Sequence, residues 1–193
     1  MLLALCCSVL ILTLNLPAVS SDLKPCFSPD TSRAQKARAP IYMFTNVMEG
    51  GRDRVPFLEQ FVAARNNTLE VIGLSELNGW QAKRLAKFGH RFGFNHSVFV
   101  DAPTGYHLGA ISKTPITVLH SNSAPPMHHG VAIFRVDDGT VVVLTHMSPR
   151  NSEARLVEAS YIVHHLKVCC KRLPILVRDT THTSVFVVLV FHL

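Results

Sequence analysis

Residues 68–80 read TLEVIGLSELNGW. The apolar run Val71-Ile72-Gly73-Leu74 stops at Ser75 and then at a carboxylate, Glu76. A short aliphatic run of this kind, bounded by polar residues, is the signature of a buried strand. A bare carboxylate closing such a strand is costly unless a charged or hydrogen-bonding group meets it. What meets Glu76 therefore decides how the chain around it is arranged.

Outward from this strand, strand and helix patterns alternate. IYMFTNVM (41–48) reads as a strand, and VPFLEQFVAARNN (55–67) as a helix with Pro56 accommodated in its first turn. GWQAKRLAKFGH (79–90) reads as a helix that Asn78 can cap and Gly89 can stop. Four strands follow: HSVFVDA (96–102), HLGAISKTPITVLH (107–120), HGVAIFRVDD (129–138) and TVVVLTHMS (140–148). Asp138-Gly139 between the last two is a hairpin signal. EARLVEASYIVHHLKV (153–168) sets Leu156, Ala159, Val163 and Leu166 on one helical face, and LPILV (173–177) opens another buried strand. The pattern is α/β with an antiparallel meander in its middle, so the expected fold is a layered sandwich of sheets and helices.

The chain of 193 residues is long enough for one domain with a substantial core, and 48% apolar against 17% charged residues excludes a disordered chain. A formal charge of +6 and a pI near 9.3 suit a polyanionic partner such as nucleic acid, although no Lys/Arg run concentrates the charge and a solvated basic surface explains it equally. Residues 1–20 have an apolar core followed by Ala18-Val19-Ser20, a small-x-small cleavage pattern, and look like a secretory signal peptide. No Lys or Arg precedes that core, and Thr13, Asn15 and Pro17 interrupt it, so it falls short of a stable membrane span. Secretion is the expected localisation. Residues 21–39 are polar, carry two prolines and read as a linker. Removal of the signal would leave Cys26, Cys169 and Cys170, an odd number that permits one intramolecular disulfide at most. The sequons Asn66-Asn67-Thr68 and Asn95-His96-Ser97 agree with a secreted chain.

Three strands end in polar residues that could do chemistry: Asn46 after IYMFT, Glu76 after EVIGLS, and His146 after TVVVLT. If these strands are neighbours, an amide, a carboxylate and an imidazole meet at one sheet edge. A carboxylate beside an amide is a hard oxygen site suited to Mg2+, and an imidazole there could bond a phosphate oxygen or move a proton. Taken singly, each is equally a solvated or satisfied strand end. His128-His129 and His164-His165 are adjacent pairs without the i, i+4 spacing of helix-borne metal ligands, and Trp80 reads as a packing residue at a helix start. No phosphate-binding glycine loop, dinucleotide fingerprint or nucleophile elbow is present.

IYMFTNVM, VIGLSELNGW, LGAISKTPIT and VVVLTHMSPRNSEARLVEASYI together resemble, in that order, the endonuclease/exonuclease/phosphatase superfamily, the deoxyribonuclease-I-like phosphoester hydrolases. The resemblance covers residues 40–177. It implies a four-layer α-β-β-α sandwich with mostly antiparallel strands and a magnesium-dependent nuclease, phosphodiesterase or phosphatase activity. By the same resemblance Glu76 is the magnesium ligand, Asn46 orients metal or phosphate, and His146 contacts the scissile phosphate. Ser75 stands where the family carries Gln, and Arg155 and Glu158 match a helix motif with a structural role.

The likeness stops at Val177/Arg178. The family continues its strand into Gly-Asp-x-Asn and later supplies a His–Asp pair that activates water; here RDTTHTS follows, and Asp179, His182 and His192 fit neither motif. Residues 178–193 therefore read as an aberrant tail, and the chain as a family domain lacking its second half. Two expectations follow. The first sheet should present a bare apolar face, open to self-association. The apolar end of the tail should be an aggregation hazard if exposed. The functional alternatives are a secreted phosphoester hydrolase, impaired by the missing groups, and a non-catalytic remnant that binds a partner.

Overall fold

The computed structural model describes residues 41–149, 151–169 and 186–191. The expected signal peptide, the expected linker and the expected LPILV strand, with Asp179, His182 and His192, lie outside the described residues. The chain is mixed α/β, with two mostly antiparallel sheets and few helices.

The first sheet has the order β1-β2-β4-β3, from β1 (Ile41–Asn46), β2 (Leu69–Ser75), β3 (His96–Val100) and β4 (Leu108–Ser112). β1 and β2 run parallel because α1 (Val55–Arg65) carries the chain back between them; the other pairs are antiparallel. The second sheet, β5-β6-β7-β8, is antiparallel throughout and comprises β5 (Ile116–Asn122), β6 (Val131–Val136), β7 (Val141–His146) and β8 (Phe186–Phe191). The stretch 107–120 is thus two strands, not the single strand that its composition suggested. It breaks at Lys113-Thr114-Pro115, where proline cannot donate to a ladder, and the chain crosses from one sheet to the other. Asp138-Gly139 does make the expected hairpin. Gly139 takes φ 88°, and the Asp138 carboxylate accepts the Thr140 N–H at 2.8 Å.

Side-chain alternation sorts the strands into three apolar clusters. Ile72, Leu74 and Ile111 face α1 and α2 (Ala82–His90) through Val62, Leu85 and Phe88. Val71, Val98, Leu108 and Ala110, from the opposite face of the same sheet, pack against Ala132, Phe134, Val142 and Leu144 of the second sheet. Ile133, Val141 and Val143 face Ile162 and Leu166 of α3 (Ser152–Cys169). Each such side chain, fully buried, contributes about 1.5–3 kcal/mol.

The apolar face that was expected to lie bare is therefore covered, because residues 116–146 supply the opposing sheet from within this chain. Self-association through an uncovered sheet loses its basis. The tail residues 186–191 form an outer strand whose backbone pairs with β7 from Val141↔Phe191 to His146↔Phe186. No helix among the described residues is long and apolar enough to cross a membrane.

Two helix readings are corrected. α2 starts at Ala82 with Gln81 at the cap position, so Asn78 does not cap it. Gly89 lies inside the last turn, packed on Ile111, while its carbonyl accepts the Phe92 and Phe94 N–H groups that close the helix. In α3 the buried residues are Glu158, Ile162 and Leu166, whereas Leu156 is 68% exposed. The helix is turned so that the Glu158 carboxylate, which must be satisfied, faces inward.

Gly50 is a steric requirement of the loop after β1: its φ is 80°, and a Cβ would overlap the Asn78 carbonyl. Gly50→Ala is expected to cost more than about 2 kcal/mol, combining left-handed strain with that overlap. Urea denaturation of the two proteins measures it.

Candidate functional site

Period-2 alternation brings the predicted residues together. Tyr42, Phe44 and Asn46 follow one face of β1, and Val142, Leu144 and His146 one face of β7; Tyr42, Phe44, Val142 and Leu144 belong to the cluster between the sheets. Asn46 and His146 thus arrive at the same open end of the sandwich from opposite sheets. The meeting is across the layer between sheets, not along one sheet edge as the sequence suggested. Glu76, one residue past the end of β2, would alternate to the other face. Its φ of 56° bends the chain instead and lets the carboxylate join the other two. A non-glycine residue there costs about 1–2 kcal/mol, so local bonds must hold it. The Gly50 N–H donates to the Glu76 carbonyl at 2.6 Å, and the Leu77 N–H to the His107 carbonyl at 3.0 Å.

Glu76 meets three groups. Asn46 Nδ2 donates to its Oε1 at 2.6 Å, the Glu49 N–H donates to Oε2 at 3.1 Å, and His146 Nε2 stands 3.4 Å from Oε1. The loop that delivers the Glu49 N–H is left-handed over five consecutive residues, Met48 to Arg52, with φ between 37° and 80°. This coil turns successive N–H groups inward: that of Met48 binds Asn46 Oδ1 at 2.7 Å, and those of Glu49 and Gly50 bind Glu76. Trp80 locks the loop from below, its Nε1 donating to the Gly50 carbonyl at 2.9 Å while its ring packs edge-on against Phe88. Its expected packing role is what the structure shows.

Sequence reasoning missed one member of this region, His129, and gave a second, Glu158, a structural role without its contacts. His129, read as an ordinary loop–strand residue, is 4% exposed and stacks on His146 with ring centroids 4.7 Å apart and planes 27° from parallel. Thr104 Oγ1 lies 2.8 Å from its Nδ1. The β6–β7 register, Val131↔Thr145, was the signal that could have placed these two histidines side by side. Glu158 is the second. Its Oε1 accepts the His128 N–H at 2.7 Å and its Oε2 the Ser148 N–H at 2.9 Å, while Arg155 Nη1 donates to the Ser148 carbonyl at 3.1 Å. The Arg155/Glu158 helix motif thus braces the two loops that carry the histidines.

Burial pushes the His146 imidazole below its ordinary range; the Glu76 charge opposes this and His128 adds to it. Burial, with His146 and His128 nearby, lowers His129 to about 4. Both rings are neutral near pH 7, which their stacking requires.

Among the described residues no group of three or more His, Cys, Asp or Glu side chains is arranged to hold a metal ion. Magnesium does not demand such a group, since it binds through one or two carboxylates and keeps most of its water. The Glu76 oxygens fit that chemistry. Asn46 would act through Glu76, because its amide oxygen is engaged by the Met48 N–H. A cleft of about 620 Å³ lined by Trp80, Gln81, Phe99, Asp101 and His107 includes none of Asn46, Glu76 and His146 in its walls. No family model, no curated protein and no solved structure matches the chain.

Glu158→Ala would leave one buried and one part-buried N–H without an acceptor and is expected to destabilise by about 2–4 kcal/mol, read by chemical denaturation. A pH series tests His129. The unfolded imidazole titrates near 6.5 and the folded one at about 4, so the unfolded state binds more protons between those values. Stability should rise with pH across that window by about 3 kcal/mol from this group, and His129→Gln should flatten the slope.

Proposed function

We propose that the chain is a magnesium-dependent phosphoester hydrolase of the endonuclease/exonuclease/phosphatase type. One observation carries the reading: Asn46 and His146, each placed by the resemblance at a strand end like Glu76, both meet the Oε1 oxygen of the Glu76 carboxylate. The layering supports it. Helices α1 and α2 pack outside the first sheet and α3 outside the second, the order of a four-layer α-β-β-α sandwich.

Glu76 would hold the magnesium, which when bound polarises the phosphoryl group and stabilises charge on the leaving oxygen. Asn46 donates one amide hydrogen to Glu76 and keeps a second for a substrate oxygen. His146, neutral and buried, offers its ring nitrogen to the phosphate. The basic balance of the chain favours a polyanion such as nucleic acid, and the leader-like N-terminus favours action outside the cell.

Activity is expected to be impaired, because LPILV is followed by Arg178-Asp179-Thr180-Thr181 and not by Gly-Asp-x-Asn. The same observation favours a second reading, in which the chain binds phosphate esters or a partner without turning them over.

The test is hydrolysis of DNA, RNA and aryl phosphate esters with magnesium, comparing the chain with Glu76→Ala. The expected result is turnover that the substitution lowers by at least about 100-fold. Turnover in neither protein supports the non-catalytic reading, and turnover in both removes Glu76 from the chemistry.

A further inference from the structure

The geometry points to His129 as the positioning residue of His146. An imidazole at a strand end can rotate about its last side-chain torsion, which has broad wells, so a ring with a job at one nitrogen needs a contact on its face. The His129 ring supplies that contact at 4.7 Å and 27°.

His129 is itself fixed from several sides. Thr104 Oγ1 holds its Nδ1 at 2.8 Å, and the Tyr106 ring lies 5.0 Å away. The next residue, Gly130, takes φ 107°; a Cβ there would come 2.8 Å from Val100 Cγ1 and 3.1 Å from the Asn122 carbonyl. Only glycine lets the chain turn so that residue 129 overlies β7. The Gly130 carbonyl accepts Thr145 Oγ1 at 2.9 Å, which joins the residue after His129 to the residue before His146. The Glu158 bonds to the His128 and Ser148 N–H groups hold the two flanks at a fixed separation. Both rings are nearly sealed from solvent, at 4% and 3% exposure. A leucine would fill this space as well, yet would give Thr104 nothing to bond and His146 no flat surface. The arrangement is therefore chain Thr104–His129–His146–Glu76, in which each member sets the orientation of the next.

His129 contacts the His146 ring and not the Glu76 oxygens, and so acts through His146. Its catalytic consequence rests on the phosphoester reading, whereas its effect on the His146 ring does not. The experiment separates the two. Ring nitrogen and carbon NMR signals of His146 are recorded in the full 193-residue chain and in His129→Ala, His129→Phe and Thr104→Val. Hydrolysis of bis(p-nitrophenyl) phosphate with magnesium is measured on the same samples.

Loss of the stack in His129→Ala is expected to shift the His146 ring signals toward a mixture of both tautomers, while His129→Phe, which keeps a flat face, retains most of the parental pattern. kcat should fall by about 100-fold in His129→Ala with KM within about twofold, and recover in part in His129→Phe. His146 signals in His129→Ala that superpose on the parent's overturn the proposal. If that variant does not fold, Thr104→Val, which removes one hydroxyl, decides: moved His146 signals support the chain of contacts, and unmoved ones overturn it. A parent protein without turnover sinks the phosphoester reading, and the ring signals still judge His129.

Discussion

The carboxylate of Glu76 is the constraint around which the described part of this protein is arranged. A charged group closing a buried strand must be met on both oxygens, and here it is met by groups from three separate places: an amide from β1, a backbone N–H from the loop after it, and an imidazole from the opposing sheet. None of these can reach it unless the backbone at residue 76 turns left-handed, and none of the loop donors exists unless residues 48–52 coil the same way. The strain of four left-handed non-glycine positions, Met48, Glu49, Arg52 and Glu76, is thus tied to one carboxylate. Neutralising that charge would remove the reason for the coil, and Gly50 and Trp80 would be left holding a loop with nothing to enclose.

The histidine side is organised on the same principle with the roles exchanged. Glu158, another buried carboxylate, is satisfied differently: it accepts two backbone N–H groups, from His128 and Ser148. Backbone donors are fixed in direction, so this carboxylate sets positions and not merely charges. It holds the loops before β6 and after β7 against α3, and those loops carry His129 and His146. One glutamate therefore shapes the protein side of the candidate centre, while the other is the centre itself. Their difference in surroundings explains their difference in character. Glu158 is fully enclosed, whereas Glu76 keeps partial access to the open end of the sandwich.

Much of this could be read from the sequence, and the failures have identifiable causes. Strand ends are legible because a polar residue after an apolar run is a local signal, so Asn46, Glu76 and His146 were found. That they meet across two sheets was not, since nothing local marks the crossover at Lys113-Thr114-Pro115 except the proline. The expectation of a bare sheet came from the resemblance, which assigns the opposing sheet mostly to a missing second half, whereas residues 116–146 supply it here. The face of α3 was misread because aliphatic residues were given the inward positions, while the carboxylate of Glu158 took one of them. His129 was overlooked because adjacent histidines share no helical face; on the strand register, however, counting from the Asp138-Gly139 turn sets Gly130 opposite His146 and so brings His129 within one residue of it.

The site and the core are consequently not separable parts of this molecule. Asn46 and Glu76 belong to the first sheet and His146 to the second, so the 3.4 Å contact of His146 with Glu76 exists only when Val71, Ala110, Phe134 and Leu144 have closed the layer between. A volume change in that layer would alter the separation of the two sheets and with it the distance from His146 to Glu76, leaving the Asn46 contact within one sheet intact. Core substitutions between the sheets should thus act on the imidazole side of the centre before the amide side. That asymmetry follows from the topology alone, because β1 and β2 are hydrogen-bonded neighbours whereas β2 and β7 are held together only by packing.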